Sequence, residues 1–265
     1  MLEELKKQSV IAMCETWNQT SEVSLPKELK DFEYFCSPAV KDKSRGRASG
    51  GLLFMYRKPF RNAVVLEATP WWLSVKLQLG DNTLIVVIVY FPPSVQFDDL
   101  LNQWADMLIG LKESFGNLPV FVLGDFNVRI GDLGPLPSDL LPDSSLRTIR
   151  RSLDVTINRK GRELLEEMHG FPLILINGRT DGDSQGEFTH LEIRQEELCC
   201  SVLDLAFVNI PAAELVSDFM VKEQYTSDHR MCEVTLNLTE NTATSHAGDN
   251  QACEIYKTEV EGGAS

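Results

Sequence analysis

Pro119-Val-Phe-Val-Leu-Gly-Asp-Phe-Asn127 is the stretch from which the rest of the chain can be read. Val120 to Leu123 is an uninterrupted apolar run, the pattern of a strand buried on both faces. It stops at Gly124, and two polar residues one position apart follow. On an extended backbone, residues i and i+2 lie on one face, so Asp125 and Asn127 emerge together while Phe126 returns to the core. A carboxylate and an amide at the end of a rigid strand are how a scaffold presents groups to a reactant. The plainer reading, a strand closed by an Asx-rich turn, is equally open for an isolated G-D-x-N.

Working outward, the same pattern recurs. Ser9-Val-Ile-Ala-Met-Cys14 is a second buried strand, ending in Glu15-Thr-Trp, and Leu2 and Leu5 before it suggest the end of an amphipathic helix. Gly50-Gly51 opens a strand through Tyr56. Leu73 to Leu79 alternates with polar residues, Gly80-Asp-Asn82 makes a hairpin turn, and Leu84 to Phe91 returns as an interior strand with Tyr90 at its far end. Phe97, Leu100, Leu101, Trp104, Leu108 and Leu111 form the stripe of a helix laid on a sheet. A Gly/Pro/Ser/Asp-rich segment follows Asn127 to about Asp143, long enough to be a functional loop. Beyond a helix near Gly161 to Met168, strands are expected at Leu173 to Ile176, Gly186 to His190, Ser201 to Val208, Val216 to Val221 and Met231 to Leu238. Asp204 lies inside an apolar run, where a carboxylate must be paired. Many strands, few helices and short connections predict an α/β sandwich with its polar groups gathered at one rim.

Composition narrows the classes. The chain has 265 residues and 43% hydrophobic content, enough for one sizeable domain. Its six cysteines show no C-x-x-C or C-x-x-H spacing, so neither a disulfide framework nor a zinc site is expected from them. The start resembles no signal peptide and no apolar run approaches membrane length, which predicts a soluble intracellular protein without a membrane partner. A net charge of −14 argues against a nucleic-acid partner, yet basic residues cluster at Lys41, Lys43, Arg45, Arg47, Arg57, Lys58 and Arg61, and again from Arg147 to Arg162. Solvated loop faces explain such clusters equally well.

The residues stranded at strand ends are Glu15, Tyr90, Asp125, Asn127, Asp204, Asp228 and His229. Hard oxygen ligands, a group to activate water and donors for charge on phosphorus are what phosphodiester hydrolysis requires. His229 adjoins one acid and is braced by another if Asp204 lies near it; His169, His190 and His246 lack such neighbours and are given no role. In order, Glu15-Thr16, Tyr90-Phe91-Pro92, Gly124-Asp-Phe-Asn127, Asp204 and Ser227-Asp-His229 resemble the marks of the endonuclease/exonuclease/phosphatase superfamily over roughly residues 5 to 238. Gly50-Gly51, Asn177-Gly-Arg179, Gly186-Glu-Phe-Thr189 and Ser201-Val-Leu-Asp204 bring the likeness nearest to the endonuclease domains of non-LTR (LINE-type) retrotransposons.

That resemblance implies a four-layered α/β/β/α sandwich of two mixed sheets. It implies Mg²⁺, with Mn²⁺ as an alternative, held by Glu15 and Asp228. Asp125 would position or deprotonate water, Asn127 and Tyr90 would hold the scissile phosphate, and His229, oriented by Asp204, would bind a phosphate oxygen or act as acid/base. DNA is the implied partner, met by loop residues Lys43, Arg45, Arg47, Arg129 and Arg147. One mark of the family is not found: a first strand carrying an Asn, ahead of the opening helix. The expected consequences are an empty sheet position with exposed edges open to self-association, and a metal site short of one amide. Residues 1–238 are expected to form the domain and 239–265 a flexible acidic tail, with no reverse transcriptase in the chain. Three readings stay open: a DNA-nicking enzyme, an N-terminally truncated relic acting as a binding module, and a phosphatase of small or lipid phosphates. The Cys-Asp-Arg that the inositol phosphatases carry is here Val202-Leu-Asp-Leu205.

Overall fold

The computed structural model describes residues 2–41, 46–57, 60–137, 140, 144–223, 227–238 and 252–259, the last as backbone. In chain order the elements are α1 (Leu2–Leu5), β1 (Val10–Cys14), a 3₁₀ turn (Lys27–Leu29), β2 (Phe32–Ser37), β3 (Leu52–Arg57), β4 (Arg61–Ala68), β5 (Trp72–Leu79) and β6 (Asn82–Tyr90). There follow α2 (Phe97–Phe115), β7 (Val120–Asp125), α3 (Arg159–Gly170), β8 (Ile174–Leu175), β9 (His190–Arg194), β10 (Glu197–Ser201) and β11 (Asp204–Val208). The chain continues through α4 (Ile210–Ala213), β12 (Val216–Lys222), β13 (Met231–Asn237) and β14 (Ala252–Glu259).

Two six-stranded mixed sheets, ordered β12-β13-β14-β1-β3-β2 and β4-β5-β6-β7-β11-β8, pack face to face. Between them lie Val10, Ala12, Cys14 and Phe54 from one sheet and Val75, Val86, Ile88, Phe121 and Leu123 from the other, because alternate residues of each strand share a face. The opposite set of the second sheet, Ile85, Val87, Val89 and Val122, is covered by Leu100, Trp104 and Leu108 of α2 and Leu164, Leu165 and Met168 of α3. The first sheet's outer residues, Ile11, Met13, Leu53 and Met55 with Phe32 and Met231, cluster with Leu5 of α1 and Leu29 of the 3₁₀ turn, which cover them. The layers are therefore α/β/β/α, one outer layer much thinner than the other.

Three points differ from the sequence reading. The sheet position beside β1 is filled: β14 pairs parallel with β1, Glu259 opposite Cys14, and antiparallel with β13. The edges expected to be open to another chain are thus paired within this one, and residues 252–259 are a strand where a tail without regular structure was expected. Ala252–Glu259 mixes apolar and charged residues, so no local pattern announces it; two unsatisfied strand edges select it. Second, the run from Ser201 to Val208 is two strands, and Asp204 opens β11 directly opposite Asp125 of β7. Third, the basic cluster after Arg147 is not a solvated face throughout. Arg150 is buried and donates to the carbonyls of Asn177 (2.9 Å) and Gly131, and Arg179 is wholly buried, donating to those of Leu175 (2.7 Å), Arg147 (2.8 Å), Thr148 (2.7 Å) and Gly134. Burial pulls both guanidinium pKa values down to about 10. These two side chains pin the long loop after Asn127 to the sandwich, satisfying carbonyls that no strand reaches.

Candidate active site

The topology brings scattered residues to one rim. Parallel β6 and β7 end together, Tyr90 opposite Asp125; β1 ends at the same rim with Glu15 after it, antiparallel β11 begins there, and β13 begins just after Asp228 and His229. The cleft they enclose has a volume of about 460 Å³ and is lined by Glu15, Trp17, Arg47, Tyr90, Pro93, Asp125, Asn127, His190, Ser227, Asp228 and His229. Ligands collect at strand ends because the side chains there leave the hydrogen-bonded ladder and point into a space bounded by loops.

Three residues of this rim carry strained backbone. Glu15, Trp17 and Asn127 take φ values of 54°, 52° and 50°, a left-handed conformation uncommon for non-glycine residues. The Glu15 turn is held by Gly50 and Gly51, whose carbonyls accept from Trp17 N (3.0 Å) and Thr16 N (3.1 Å). Gly51 has φ +89°, and a Cβ there would stand 2.6 Å from Thr16 Oγ1, so only glycine permits the approach. The Tyr90 hydroxyl donates to Glu15 Oε1. Asp125 is buried, with Oδ1 accepting from the Asn127 amide (2.9 Å) and Oδ2 from Asn127 Nδ2 (2.7 Å), while Asn127 Nδ2 also reaches Phe91 O (3.1 Å). Tyr90 and Asn127, which the resemblance had holding a phosphate, here hold two carboxylates.

His229 Nδ1 lies 2.8 Å from Asp204 Oδ2, both side chains buried. A carboxylate can only accept, so Nδ1 carries the proton and Nε2 is the ring's other nitrogen. Asp204 is itself fixed: its amide donates to Thr189 Oγ1 (3.0 Å) and its carbonyl accepts from Asn177 Nδ2 (3.0 Å). The Asn177-Gly-Arg179 motif therefore supports the site from beneath.

His190, given no role from the sequence, belongs to the cleft. Its ring centroid is 4.6 Å from that of His229, its Nδ1 is 3.3 Å from Ser201 Oγ and its Nε2 is 3.5 Å from Asp228 Oδ2. Burial, and then the neighbouring His229, hold its pKa below the ordinary imidazole value. Its isolated bridge to His229 and the pairing of Leu191 N with Asp228 O (2.8 Å) are long-range contacts that no local pattern reveals. Thr189, one residue earlier and committed to Asp204, was the available signal.

Of the expected nucleic-acid contacts, Arg47 lines the cleft, its guanidinium 3.4 Å above the Trp17 ring. Arg129 does not: it pairs with buried Asp154 (Nε to Oδ2 2.8 Å), which also accepts from Val202 N (3.1 Å), tying the loop to the link between β10 and β11. Arg147 pairs with Asp181 on the surface, away from the cleft lining. Lys43 and Arg45 lie outside the described residues.

No curated protein sequence matches the chain. The solved endonuclease domain of TRAS1, a telomere-specific non-LTR retrotransposon, is similar in fold, with TM-score 0.59 at 16% identity over 89% of this chain and 89% of that one. The model of the endonuclease/exonuclease/phosphatase family matches residues 1–229, a span running from the helix before β1 to His229 itself and taking in every residue that forms the cleft. On that match the chain belongs to the endonuclease/exonuclease/phosphatase family.

Proposed function

We propose that the chain is a divalent-metal-dependent phosphodiesterase that nicks DNA by directed attack of water on a backbone phosphate. The observation that supports this best is the meeting of Glu15, Asp125, Asn127, Asp228 and an Asp204-braced His229 in one cleft. Carboxylates from Glu15 and Asp228 are hard oxygen donors suited to Mg²⁺ or Mn²⁺, and residues 15 and 228 are the ones that would hold the ion. When bound, the cation offsets charge building on the phosphoryl oxygens and makes water more acidic.

The chain's own residues do the rest. Asp125, held by both nitrogen donors of Asn127, has a fixed orientation and takes the proton of the attacking water. Tyr90 keeps Glu15 at one position while a substrate arrives. His229 presents Nε2 to a phosphate oxygen, or protonates the departing one, with Asp204 stabilising the charged ring. Arg47 stacked on Trp17 offers a cation beside an aromatic face at the cleft wall, the combination that meets a phosphate and an unstacked base. DNA is favoured over a small phosphate ester because the TRAS1 domain of similar fold is an endonuclease.

Supercoiled plasmid incubated with the purified chain and Mg²⁺ tests the reading. The expected result is conversion to open circles that chelation stops and that Glu15→Gln and Asp125→Asn abolish. A parent protein that leaves plasmid intact, or variants as active as the parent, would remove the proposal.

A further inference from the structure

His190, Asp228 and His229 bring three ligand atoms within 4.8 Å of one another. We infer that these residues form a second cation site, selective for borderline transition metals such as Zn²⁺ or Co²⁺ over Mg²⁺. Two imidazoles and one carboxylate are a donor set for such ions, whereas Mg²⁺ prefers oxygen alone. The inference stands on the geometry of this trio and does not require the nuclease reading.

Both imidazole rings have a polar neighbour behind them. A metal-binding histidine usually gives its other ring N–H to a fixed acceptor, which sets the tautomer and aims the free nitrogen. His229 is arranged so, its Nδ1 facing Asp204 Oδ2 at 2.8 Å, and His190 Nδ1 lies 3.3 Å from Ser201 Oγ, a hydroxyl able to serve as that acceptor. With Nδ1 protonated, Nε2 is the ligand atom of each ring. His190 Nε2 already sits 3.5 Å from Asp228 Oδ2, close to the separation of about 3.3 Å between ligands of one tetrahedral zinc. The two segments that carry the trio are also tied by backbone contacts, His190 bridging His229 and Leu191 N bonding Asp228 O. Asp228 is exposed and the cleft is open, which gives the ion an entry path and leaves a fourth position for water.

Occupancy has a consequence. A metal on His229 Nε2 takes the nitrogen that would otherwise serve a phosphate, and one on Asp228 competes with the Mg²⁺ position. The site is thus inhibitory towards Mg²⁺-supported chemistry.

Binding is measured without substrate, on the full chain stripped of metal, by competition with a zinc-sensitive chelating dye and by the visible absorption of bound Co²⁺. The expected result is one tight Zn²⁺ per chain, retained in excess Mg²⁺ and weakened at least the roughly tenfold that loss of even a supporting partner causes in both His190→Gln and His229→Gln. Co²⁺ should give a tetrahedral or five-coordinate spectrum that both variants lose. Far-UV circular dichroism on each variant separates lost ligation from lost folding, and a Cys199→Ser/Cys200→Ser double variant, expected to bind like the parent, separates this site from the cysteines of β10. Parent-like zinc affinity in both folded histidine variants, or release of the ion by Mg²⁺, would overturn the inference. Zinc binding with no nicking in the plasmid assay would keep the inference and sink the nuclease proposal; the converse would do the reverse.

Discussion

Asp204 is the residue whose loss separates positioning from packing. It is 2% exposed, opens β11 opposite Asp125, and meets His229 Nδ1 at 2.8 Å. Asp204→Asn keeps the volume and the two backbone bonds to Thr189 and Asn177, and removes the charge. A hydrogen bond to a charged group contributes about 1.5–3 kcal/mol and a neutral one about 1 kcal/mol. The difference of about 0.5–2 kcal/mol is roughly a 2- to 30-fold loss in kcat, at 1.36 kcal/mol per decade. Asp204→Ala removes the whole interaction and is expected to lose roughly 10- to 150-fold, converted the same way. It also leaves a buried N–H unmatched, worth about 1–3 kcal/mol of stability, or a melting temperature lower by roughly 2–12 °C in a domain of this size. Single-turnover nicking at saturating Mg²⁺, with thermal melts alongside, reads both quantities. The Asn variant should fall in kcat with little change in KM and little change in melting. An Asn variant with the parent's kcat would refute the reasoning, since the carboxylate would then be serving the fold alone.

Gly124→Ala would put a Cβ 2.7 Å from both the nitrogen and carbonyl carbon of Val89 in the neighbouring strand, where backbone cannot yield; a loss of about 3 kcal/mol and a drop in nicking are expected, and a parent-like melt would show that β6 and β7 are not so closely apposed. Ile255→Pro should remove a ladder donor from β14, which has partners on both sides, costing about 1–3 kcal/mol; unchanged melting and nicking would mean that residues 252–259 are not part of the working sheet. Asp183, which accepts from Gly178 N (2.8 Å) and Glu187 N (2.7 Å), has its pKa pushed up by burial from 3.8 to about 6. A carboxyl raised on folding favours the fold when protonated, so its contribution is complete below the unfolded value and is lost as pH rises through about 6. The shift of roughly 2 units corresponds to about 3 kcal/mol. Urea midpoints at pH 4, 5, 6 and 7 should show the parent losing that increment relative to Asp183→Asn; a constant difference between the two would refute the sign.

Much of the site was readable because its chemistry sits in local patterns. Glu15, Tyr90, Asp125 and Asn127 each close an apolar run, and a run of that kind specifies both a buried strand and its end. Ser227-Asp-His229 precedes another such strand, so strand alternation alone puts these groups at strand termini. Arg129 and Arg150 show the limit: positive charge in a loop reads as a surface feature, yet one is paired with buried Asp154 and the other is buried among carbonyls. Which cations face the cleft depends on where the loop backbone needs donors, a demand visible only after folding.

Residue order and hydrophobic period determined that this chain is an α/β sandwich with an acid, an amide and a histidine at its strand ends, because those signals are local and burial acts on each strand separately; the likeness to the endonuclease/exonuclease/phosphatase family came from the order of its short motifs. Only the tertiary structure decided that Asp204 begins a strand beneath His229, that His190 joins Asp228, and that Ala252–Glu259 lies between β1 and β13. Such pairings join residues tens to hundreds of positions apart, and their energy comes from matching edges and buried polar groups that do not exist until the sheets have formed.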